Sequence, residues 1–123
     1  MAELAWTSFD MPSKIFHFSV RKNRNKIHPT QKPVELYKWL LKMYAKDGDK
    51  ILDTHLGSGT IAIACYVCGY DLTACEISLE YYQNAIEKIK TVVPEHDIQV
   101  EEGKLLIENK SEVTPKDFQF ALF

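Results

Sequence analysis

The spacing of apolar side chains predicts an amphipathic α-helix over roughly residues 33–46. Its apolar positions recur at i, i+3, i+4 and i+7, the period of one helix face: Tyr37, Leu40, Leu41 and Tyr44. Pro33 suits a first helical position, because the first N–H groups of a helix have no partner within it. An Asp-Gly-Asp sequence at 47–49 ends the pattern. This helix is therefore expected to bury one stripe and expose the other.

Two short apolar runs further along the chain predict buried β-strands, and each is followed by a helix. The first strand covers 50–53 and leads into 59–68, a stretch that is apolar on most sides and predicts a buried helix. The second strand covers 72–76 and leads into a helix that runs from its N-cap, Ser78, to about residue 91. Connections of this kind are right-handed and make neighbouring strands parallel. The chain is therefore predicted to have an α/β fold.

The pattern is weaker at both ends of the chain. Apolar and polar residues alternate over 14–20, which predicts a strand, and the short apolar runs 98–100 and 105–107 suit edge strands. The last residues are mostly polar. The predicted organisation has three parts, a basic strand and loop segment, an α/β subdomain and a polar C-terminal tail: 1–27, 28–108 and 109–123.

The composition is that of an ordinary soluble globular domain. The chain has 123 residues, of which 46% are hydrophobic and 26% charged, enough for one domain but short for a complete α/β enzyme. No apolar run approaches the ~20 residues that cross a bilayer, and the N-terminus lacks a secretory signal, so no membrane partner is expected. The three cysteines are an odd number without the spacing of a disulfide framework. They favour a reducing, cytoplasmic compartment.

Charge is distributed unevenly along the chain, although the net charge is only −2. Residues 12–50 hold ten basic side chains against three acidic ones, whereas 51–123 hold five basic and twelve acidic. The densest basic cluster contains no apolar residue and is predicted to form an exposed loop: Arg21, Lys22, Arg24 and Lys26. Such a segment suits double-stranded DNA, because contacts with phosphates release counterions. A solvated helix face plus a loop explains the composition equally well.

The residues that suggest chemistry cluster where the two predicted strands end. Asp53 ends the first strand, a glycine-containing loop follows over 54–60, and Glu76 ends the second strand. Since the C-terminal ends of parallel strands share one edge, both carboxylates are expected to face one crevice, with Glu76 accepting hydrogen bonds from a ribose. A dinucleotide-binding unit has the same acid, so Glu76 alone does not identify the ligand. Asp53 would repel a pyrophosphate but accept from an amino group, which favours S-adenosylmethionine.

Three motifs occur in order between residues 26 and 90: His28-Pro29-Thr30-Gln31-Lys32-Pro33, then Ile51-Leu52-Asp53 with Gly57-Ser58-Gly59-Thr60, then Glu76 with Tyr81. Together they resemble the DNA amino-methyltransferases that modify adenine N6 or cytosine N4, in the permuted group whose cofactor motifs follow the catalytic one. The resemblance implies a Rossmann-like S-adenosylmethionine-dependent methyltransferase fold, of which this chain is the cofactor-binding half. It also implies that Lys32 contacts the carboxylate of S-adenosyl-L-methionine and that Glu76 contacts the ribose. The implied binding positions for this cofactor are His28, Thr30, Gln31, Lys32, Asp53, His55, Gly57, Ser58, Gly59, Thr60 and Glu76.

Two departures from the family's pattern bear on function. The family has Asp-Pro-Phe where this chain has Asp53-Thr54-His55, so His55 is expected to supply the flat contact with the cofactor. The family's catalytic signature, an Asp, Asn or Ser followed by Pro-Pro and an aromatic residue, is absent, because no two of the five prolines are adjacent. We therefore assign no catalytic residue and interpret the chain as the C-terminal part of a longer methyltransferase, inactive alone. Its unpaired sheet edge predicts self-association or a need for the missing N-terminal half.

Two further motifs have simpler explanations. Cys65 and Cys68 have the spacing of a zinc or redox pair, but they lie within a predicted buried helix and have no second pair. Core packing explains them, and no metal is expected. The last residues, Gln119 to Phe123, resemble the Gln-x-x-Leu-Phe peptide with which bacterial and phage DNA enzymes bind the sliding clamp. An incidental match in a disordered tail explains them equally well.

Three functional hypotheses follow. The first is a fragment of a DNA methyltransferase from a bacterium or a phage-infected cell, with adenine favoured over cytosine and a restriction–modification or phage role. The second is a non-catalytic cofactor- or DNA-binding half that pairs with a separate subunit. The third is a dinucleotide-dependent oxidoreductase, which the motif at 28–33 argues against.

Overall fold

A computed structural model of the chain describes residues 3–18 and 31–93, together with the backbone of three later strands. The elements are α1 (Val34–Tyr44), β1 (Lys50–Asp53), α2 (Thr60–Cys68), β2 (Asp71–Glu76), α3 (Leu79–Lys90), β3 (Ile98–Glu101), β4 (Lys104–Glu108) and β5 (Asp117–Leu122). The strand–helix order predicted after residue 50 is confirmed. The chain is a small α/β protein.

The helices begin and end at residues that suit those positions. α1 begins one residue after Pro33, which has an extended backbone and acts as the N-cap. The Ser78 hydroxyl accepts a hydrogen bond from the Tyr81 N–H at 3.3 Å, so the predicted N-cap of α3 is confirmed. α2 ends at Gly69, which has a φ of 78° and donates its N–H to carbonyls of the last helical turn. A residue with a Cβ disfavours that left-handed conformation, which explains the glycine.

The five strands form one mixed sheet in the order β1-β2-β5-β4-β3. β1 and β5 both pair with β2 in parallel, whereas β4 is antiparallel to both β5 and β3. The prediction of an edge strand at 98–100 is confirmed by β3. It is wrong for 105–107, because β5 pairs with the other side of β4. At the opposite end of the sheet, β2 is the one strand among the described residues that pairs with β1.

The helices pack on one face of the parallel strands. The core includes Leu72 and Ala74 of β2, and Ile51 of β1 packs against it. All three helices contribute residues to this core: Leu41 of α1, Ala62, Ala64 and Cys65 of α2, and Ala85 and Ile89 of α3. Leu52 and Thr73 pair across the two strands and point to the other face, where both are exposed. Leu52 is 65% exposed. Parallel strands are normally covered on both faces, whereas none of the described helices covers this face of β1 and β2.

The strand predicted over 14–20 is wrong for the residues that the structure describes. Residues 14–18 have no strand pairing, and 19–20 lie outside the described residues. The alternation itself is real, because Phe16 and Phe18 are half-buried while Ile15 and His17 are exposed. The Phe16 ring packs on Trp39 of α1 at a centroid distance of 5.5 Å. The segment therefore lies against a helix, where its backbone finds no neighbouring strand.

The predicted polar tail over 109–123 is also wrong in part. Residues 117–122 form β5. Its residues Phe118 to Leu122 pair in parallel with Leu72 to Glu76 of β2. Residues 109–116 and Phe123 lie outside the described residues. Polar composition before residue 117 concealed a short alternating run, Asp117 to Leu122, that is long enough for one strand.

Candidate functional site

The loop between β1 and α2 lies against the C-terminal end of β2. β1 ends at Asp53 opposite Ala74, and β2 continues for two more residues to Glu76. The Leu56 N–H donates to the Cys75 carbonyl at 2.8 Å, and the Leu56 side chain is buried. This contact continues the pairing of the two strands beyond their regular part and holds the loop beside Glu76.

Both oxygens of the Glu76 carboxylate accept backbone hydrogen bonds. Oε2 accepts from the Gly57 N–H at 2.8 Å, and Oε1 accepts from the Ser78 N–H at 2.9 Å. The side chain is only 7% exposed. A carboxylate offers about four lone-pair positions, and these two backbone donors use two of them. Glu76 thus braces the glycine loop against the start of α3.

Asp53 lies at the end of β1, half-buried and close to the helices. Its Oδ1 accepts from the His55 N–H at 2.9 Å, which turns the chain away from the strand. Burial, and to a smaller degree the charge of Asp53, raise the pKa of the Tyr37 hydroxyl in α1. Asp53 therefore places negative charge at the same edge of the sheet as Glu76, where it would attract a cationic ligand.

His55 is exposed, and a neighbouring hydroxyl fixes one side of its ring. The Thr54 Oγ1 lies 2.8 Å from the His55 Nδ1. This contact occupies one ring nitrogen and leaves the faces of the imidazole accessible. A flat contact between His55 and a cofactor stays a prediction.

Gly59 is required by the approach of α3 as well as by its own backbone. Its φ is +76°, in the left-handed region. A Cβ at this position would lie 3.0 Å from the Ala85 Cβ and 3.2 Å from the Ile89 Cδ1. Gly57 has a φ of 59° and supplies the N–H that Glu76 accepts. The two glycines therefore have different roles, since Gly59 admits a helix and Gly57 presents a backbone donor.

A buried chain of hydroxyl groups connects the glycine loop to α3. The Ser58 Oγ lies 2.8 Å from the Thr60 Oγ1, and the Lys88 ammonium donates to the same Thr60 oxygen at 2.8 Å. Ser58 and Thr60 are 7% and 2% exposed. Burial lowers the pKa of Lys88, because desolvation disfavours its charged form. Lys88 was not among the predicted site residues, although its position three residues after the buried Ala85 places it on the inner face of α3.

The structure describes only part of the upstream motif. Gln31 and Lys32 are half-buried, and the Lys32 ammonium pairs with the carboxylate of Glu3. The predicted partner of Lys32, a cofactor carboxylate, would thus compete with an acid of the chain itself. His28 and Thr30 of the same motif and the whole basic cluster lie outside the described residues: Arg21, Lys22, Arg24 and Lys26.

The two cysteines of α2 differ in burial, and only Cys65 is a core residue. Cys65 is fully buried, and burial raises the pKa of its thiol to about 12, so it is not a thiolate at neutral pH. Cys68 is exposed at the end of α2, where the prediction of core packing is wrong. Within the described residues no group of three or more histidine, cysteine or acidic side chains is placed to bind a metal ion. Nor does any helix there have the length and apolarity to span a bilayer.

Over most of its length the chain is similar in sequence to known proteins. Residues 6–88 match the model of the DNA methylase family, the N6- and N4-methyltransferases. The chain is 37% identical over 82 residues to the type II methyltransferase M.HpaI of Haemophilus parainfluenzae, covering 63% of this chain and 26% of the relative. It is 29% identical over 80 residues to the type II methyltransferase M1.MboII of Moraxella bovis, covering 58% and 31%.

The chain thus spans between a quarter and a third of the length of these relatives. No solved structure gave a significant match. The family match includes α1, β1, the glycine loop, β2 and most of α3, which are the elements that build the strand-end site. On this match over most of its length, the chain belongs to the DNA methylase family.

Proposed function

We propose that this chain is the cofactor-binding part of a DNA methyltransferase that acts on an exocyclic amine, adenine N6 rather than cytosine N4. Methyltransferases of this family use S-adenosyl-L-methionine, which supplies an electrophilic methyl group when bound. The observation that supports the proposal most is the buried Glu76 carboxylate, which is hydrogen-bonded to Gly57 of the loop that follows β1.

The side chains at the end of the sheet fit this cofactor chemically. Each oxygen of the Glu76 carboxylate is able to accept more than one hydrogen bond, which suits the two hydroxyls of a ribose. Asp53 uses one oxygen for the His55 N–H and retains acceptor capacity for an ammonium group. Ile77 follows Glu76 directly and is 82% exposed, which offers an apolar surface to a purine ring. A dinucleotide would instead bring a pyrophosphate close to two carboxylates, and like charges repel.

We propose further that the chain requires a complementary polypeptide. It has no adjacent prolines and so lacks the family's catalytic signature. The open edge of β1 and the exposed Leu52 on the uncovered sheet face suit a partner segment that adds a strand and buries apolar surface. A separate subunit and a continuation of the same chain would both meet this need. The non-catalytic half is therefore the alternative function that the open face favours.

The basic cluster is proposed to bind the phosphates of double-stranded DNA. It consists of four side chains that carry one charge each: Arg21, Lys22, Arg24 and Lys26. Phosphate contacts are independent of sequence and weaken steeply with salt. Replacing the four residues by glutamine is expected to weaken binding to any duplex and to reduce its salt dependence. A quadruple variant with unchanged affinity would contradict the proposal.

Calorimetric titration of the chain with S-adenosylhomocysteine and with NAD tests the cofactor assignment. We expect saturable binding of the first and none of the second. A methyl-transfer assay on unmethylated DNA then tests incompleteness, with the expected result that the chain alone shows no turnover. Turnover by the chain alone would refute the need for a complementary polypeptide while leaving the cofactor assignment intact.

Most of the proposed clamp-binding peptide, Gln119 to Phe123, lies within a strand of the sheet. Residues 117–122 form β5, whose backbone pairs with β2 on one side and β4 on the other. Binding of this peptide to a sliding clamp would require β5 to leave the sheet. Deletion of 119–123 should abolish binding to a purified clamp if the proposal holds, and an intact chain that does not bind would end it.

A further inference from the structure

The hydrogen-bond chain from α3 to the glycine loop has a direction that is set at one end. The Lys88 ammonium is a donor with no acceptor capacity, so the Thr60 oxygen must accept from it. Thr60 and Ser58 are 2.8 Å apart, and either hydroxyl is able to donate to the other. When Thr60 accepts from a cation, its O–H becomes a stronger donor, because hydrogen bonds in a chain polarise one another. Polarisation by Lys88 favours the arrangement in which Thr60 donates to Ser58.

This direction leaves the Ser58 proton to be donated onward. In this arrangement Ser58 accepts from Thr60, so its own O–H needs a further acceptor. Ser58 is only 7% exposed and lies between Gly57 and Gly59, in the loop that Glu76 braces. Where Glu76 holds a ribose, the loop after β1 lies beside the group attached to the ribose, as in other nucleotide sites of this architecture. For S-adenosyl-L-methionine that group ends in a carboxylate, which is an acceptor.

The position of Lys88 is otherwise unfavourable. Thr60 is the first residue of α2, and a cation at the N-terminus of a helix opposes the helix dipole. Lys88 is half-buried, and none of the carboxylates that the structure describes is placed as its ion-pair partner. Burial lowers the pKa of its ammonium group. An anionic ligand group beside the loop would offset each of these costs.

We propose that Lys88 is a positioning residue which, through Thr60, fixes Ser58 as a hydrogen-bond donor to the amino-acid part of the cofactor and so selects ligands that carry a carboxylate. The inference rests on the proposed function of the strand-end site. It does not require Lys88 to touch the ligand. It predicts that the effect of Lys88 depends on both hydroxyls of the chain.

Two ligands separate this role from simple structural support. S-adenosylhomocysteine carries the amino-acid carboxylate, whereas 5′-methylthioadenosine keeps the adenosine and the sulfur but lacks the amino acid. For Lys88→Met, calorimetry should show about tenfold weaker binding of S-adenosylhomocysteine and binding of methylthioadenosine within about twofold of the unmodified chain. Lys88→Arg, which retains a donor, should recover most of the loss. Lys90→Met, at an exposed position of the same helix, is the matched control and should bind both ligands normally.

A double-mutant cycle tests whether Lys88 acts through Thr60. In a Thr60→Val background, which removes the hydroxyl, Lys88→Met should cause no further loss of S-adenosylhomocysteine affinity. A full additional loss would show direct contact with the ligand and overturn the positioning role. Should Lys88→Met fail to fold by circular dichroism, Ser58→Ala leaves the Lys88–Thr60 bond in place and should show the same selective loss.

The remaining outcomes are distinguishable. If Lys88→Met weakens both ligands equally, or weakens neither, Lys88 has no part in selecting the carboxylate and the inference is wrong while the cofactor assignment stands. If the unmodified chain binds neither ligand, the proposed function fails and the inference fails with it.

Discussion

The Gly57 N–H donates to the Glu76 Oε2 at 2.8 Å, across 19 residues of sequence. Because Oε1 of the same carboxylate accepts from Ser78, one buried side chain connects the loop after β1 with the start of α3. The proposed ligand site and the packing of the loop therefore depend on the same group. A change at Glu76 is expected to affect stability and binding together.

Glu76→Gln removes one of the two carboxylate acceptors at nearly constant volume. The amide nitrogen of glutamine donates rather than accepts, so either Gly57 or Ser78 loses a partner for its N–H. We expect the free energy of unfolding to fall by about 1–3 kcal/mol and binding of S-adenosylhomocysteine to weaken at least tenfold. Urea denaturation and calorimetry measure the two effects. Glu87→Gln, at an exposed position in α3, should change neither quantity.

Gly59→Ala tests the packing of α3 on the glycine loop. The new Cβ would be 3.0 Å from that of Ala85, at a φ of +76°. Backbone strain and overpacking together are expected to lower the free energy of unfolding by about 2–4 kcal/mol. Gly48→Ala is a matched control, because Gly48 has a φ of +85° with open space around it. Gly48→Ala should lower the free energy of unfolding by the cost of backbone strain alone, about 1–2 kcal/mol. Equal losses of stability in the two variants would contradict the packing argument.

Alkylation should distinguish the two cysteines of α2. Cys68 is exposed, whereas burial raises the pKa of the Cys65 thiol to about 12, so at pH 8 Cys65 remains protonated and shielded. Mass spectrometry after iodoacetamide treatment should find Cys68 modified in the folded chain and Cys65 modified only in denaturant. Rapid modification of Cys65 in the folded chain would show that α2 is packed differently.

The raised pKa of Cys65 also predicts a loss of stability in alkaline solution. The thiol ionises near its ordinary value of 9.0 in the unfolded chain but near 12 in the folded one. Its contribution is therefore fully present below about pH 9 and is lost as the pH rises towards 12, since the unfolded state releases its proton first. In urea denaturation between pH 9 and 11, Cys65→Ala should show a smaller decline than the unmodified chain.

Leu52→Lys tests the open face beside β1. Leu52 is 65% exposed on an edge strand, so an isolated chain is expected to associate through this surface. Size-exclusion chromatography should show concentration-dependent association that the lysine variant reduces. Val67→Lys, at a position of α2 that is 53% exposed, is the control and should leave association unchanged. A clean monomer at high concentration would contradict the prediction.

Local patterns were sufficient to predict the part of the fold between α1 and α3. Ser78 predicted the start of α3 because capping depends on neighbouring residues, and this prediction is confirmed. The predicted strand is wrong over 14–18 and the predicted polar tail is wrong over 117–122, because pairing is decided by distant segments. Phe16 meets Trp39 instead of a strand, and β5 enters the sheet beside β2. A strand is stable only where a neighbour offers its hydrogen bonds, which periodicity does not reveal.

In the candidate site, too, local patterns predicted some residues and missed those that depend on tertiary packing. Asp53 and Glu76 were predicted to share an edge because parallel strands require it. Lys88 was not found, since its contact with Thr60 joins positions 28 residues apart and depends on how α3 packs on the loop. The ion pair between Lys32 and Glu3 was missed for a similar reason. Both contacts come from tertiary packing and leave little trace in local sequence.

The most direct test of the central claim is an NMR titration of the isotopically labelled chain with S-adenosylhomocysteine. The account predicts saturable shifts of the amide resonances of Gly57 and Ser78, which donate to the Glu76 carboxylate, and of Gly59 in the same loop. It predicts no such shifts with NAD. The Glu76→Gln variant should lose the shifts with S-adenosylhomocysteine. Saturable shifts confined to other parts of the chain, or none at all, would contradict a cofactor site at the ends of β1 and β2.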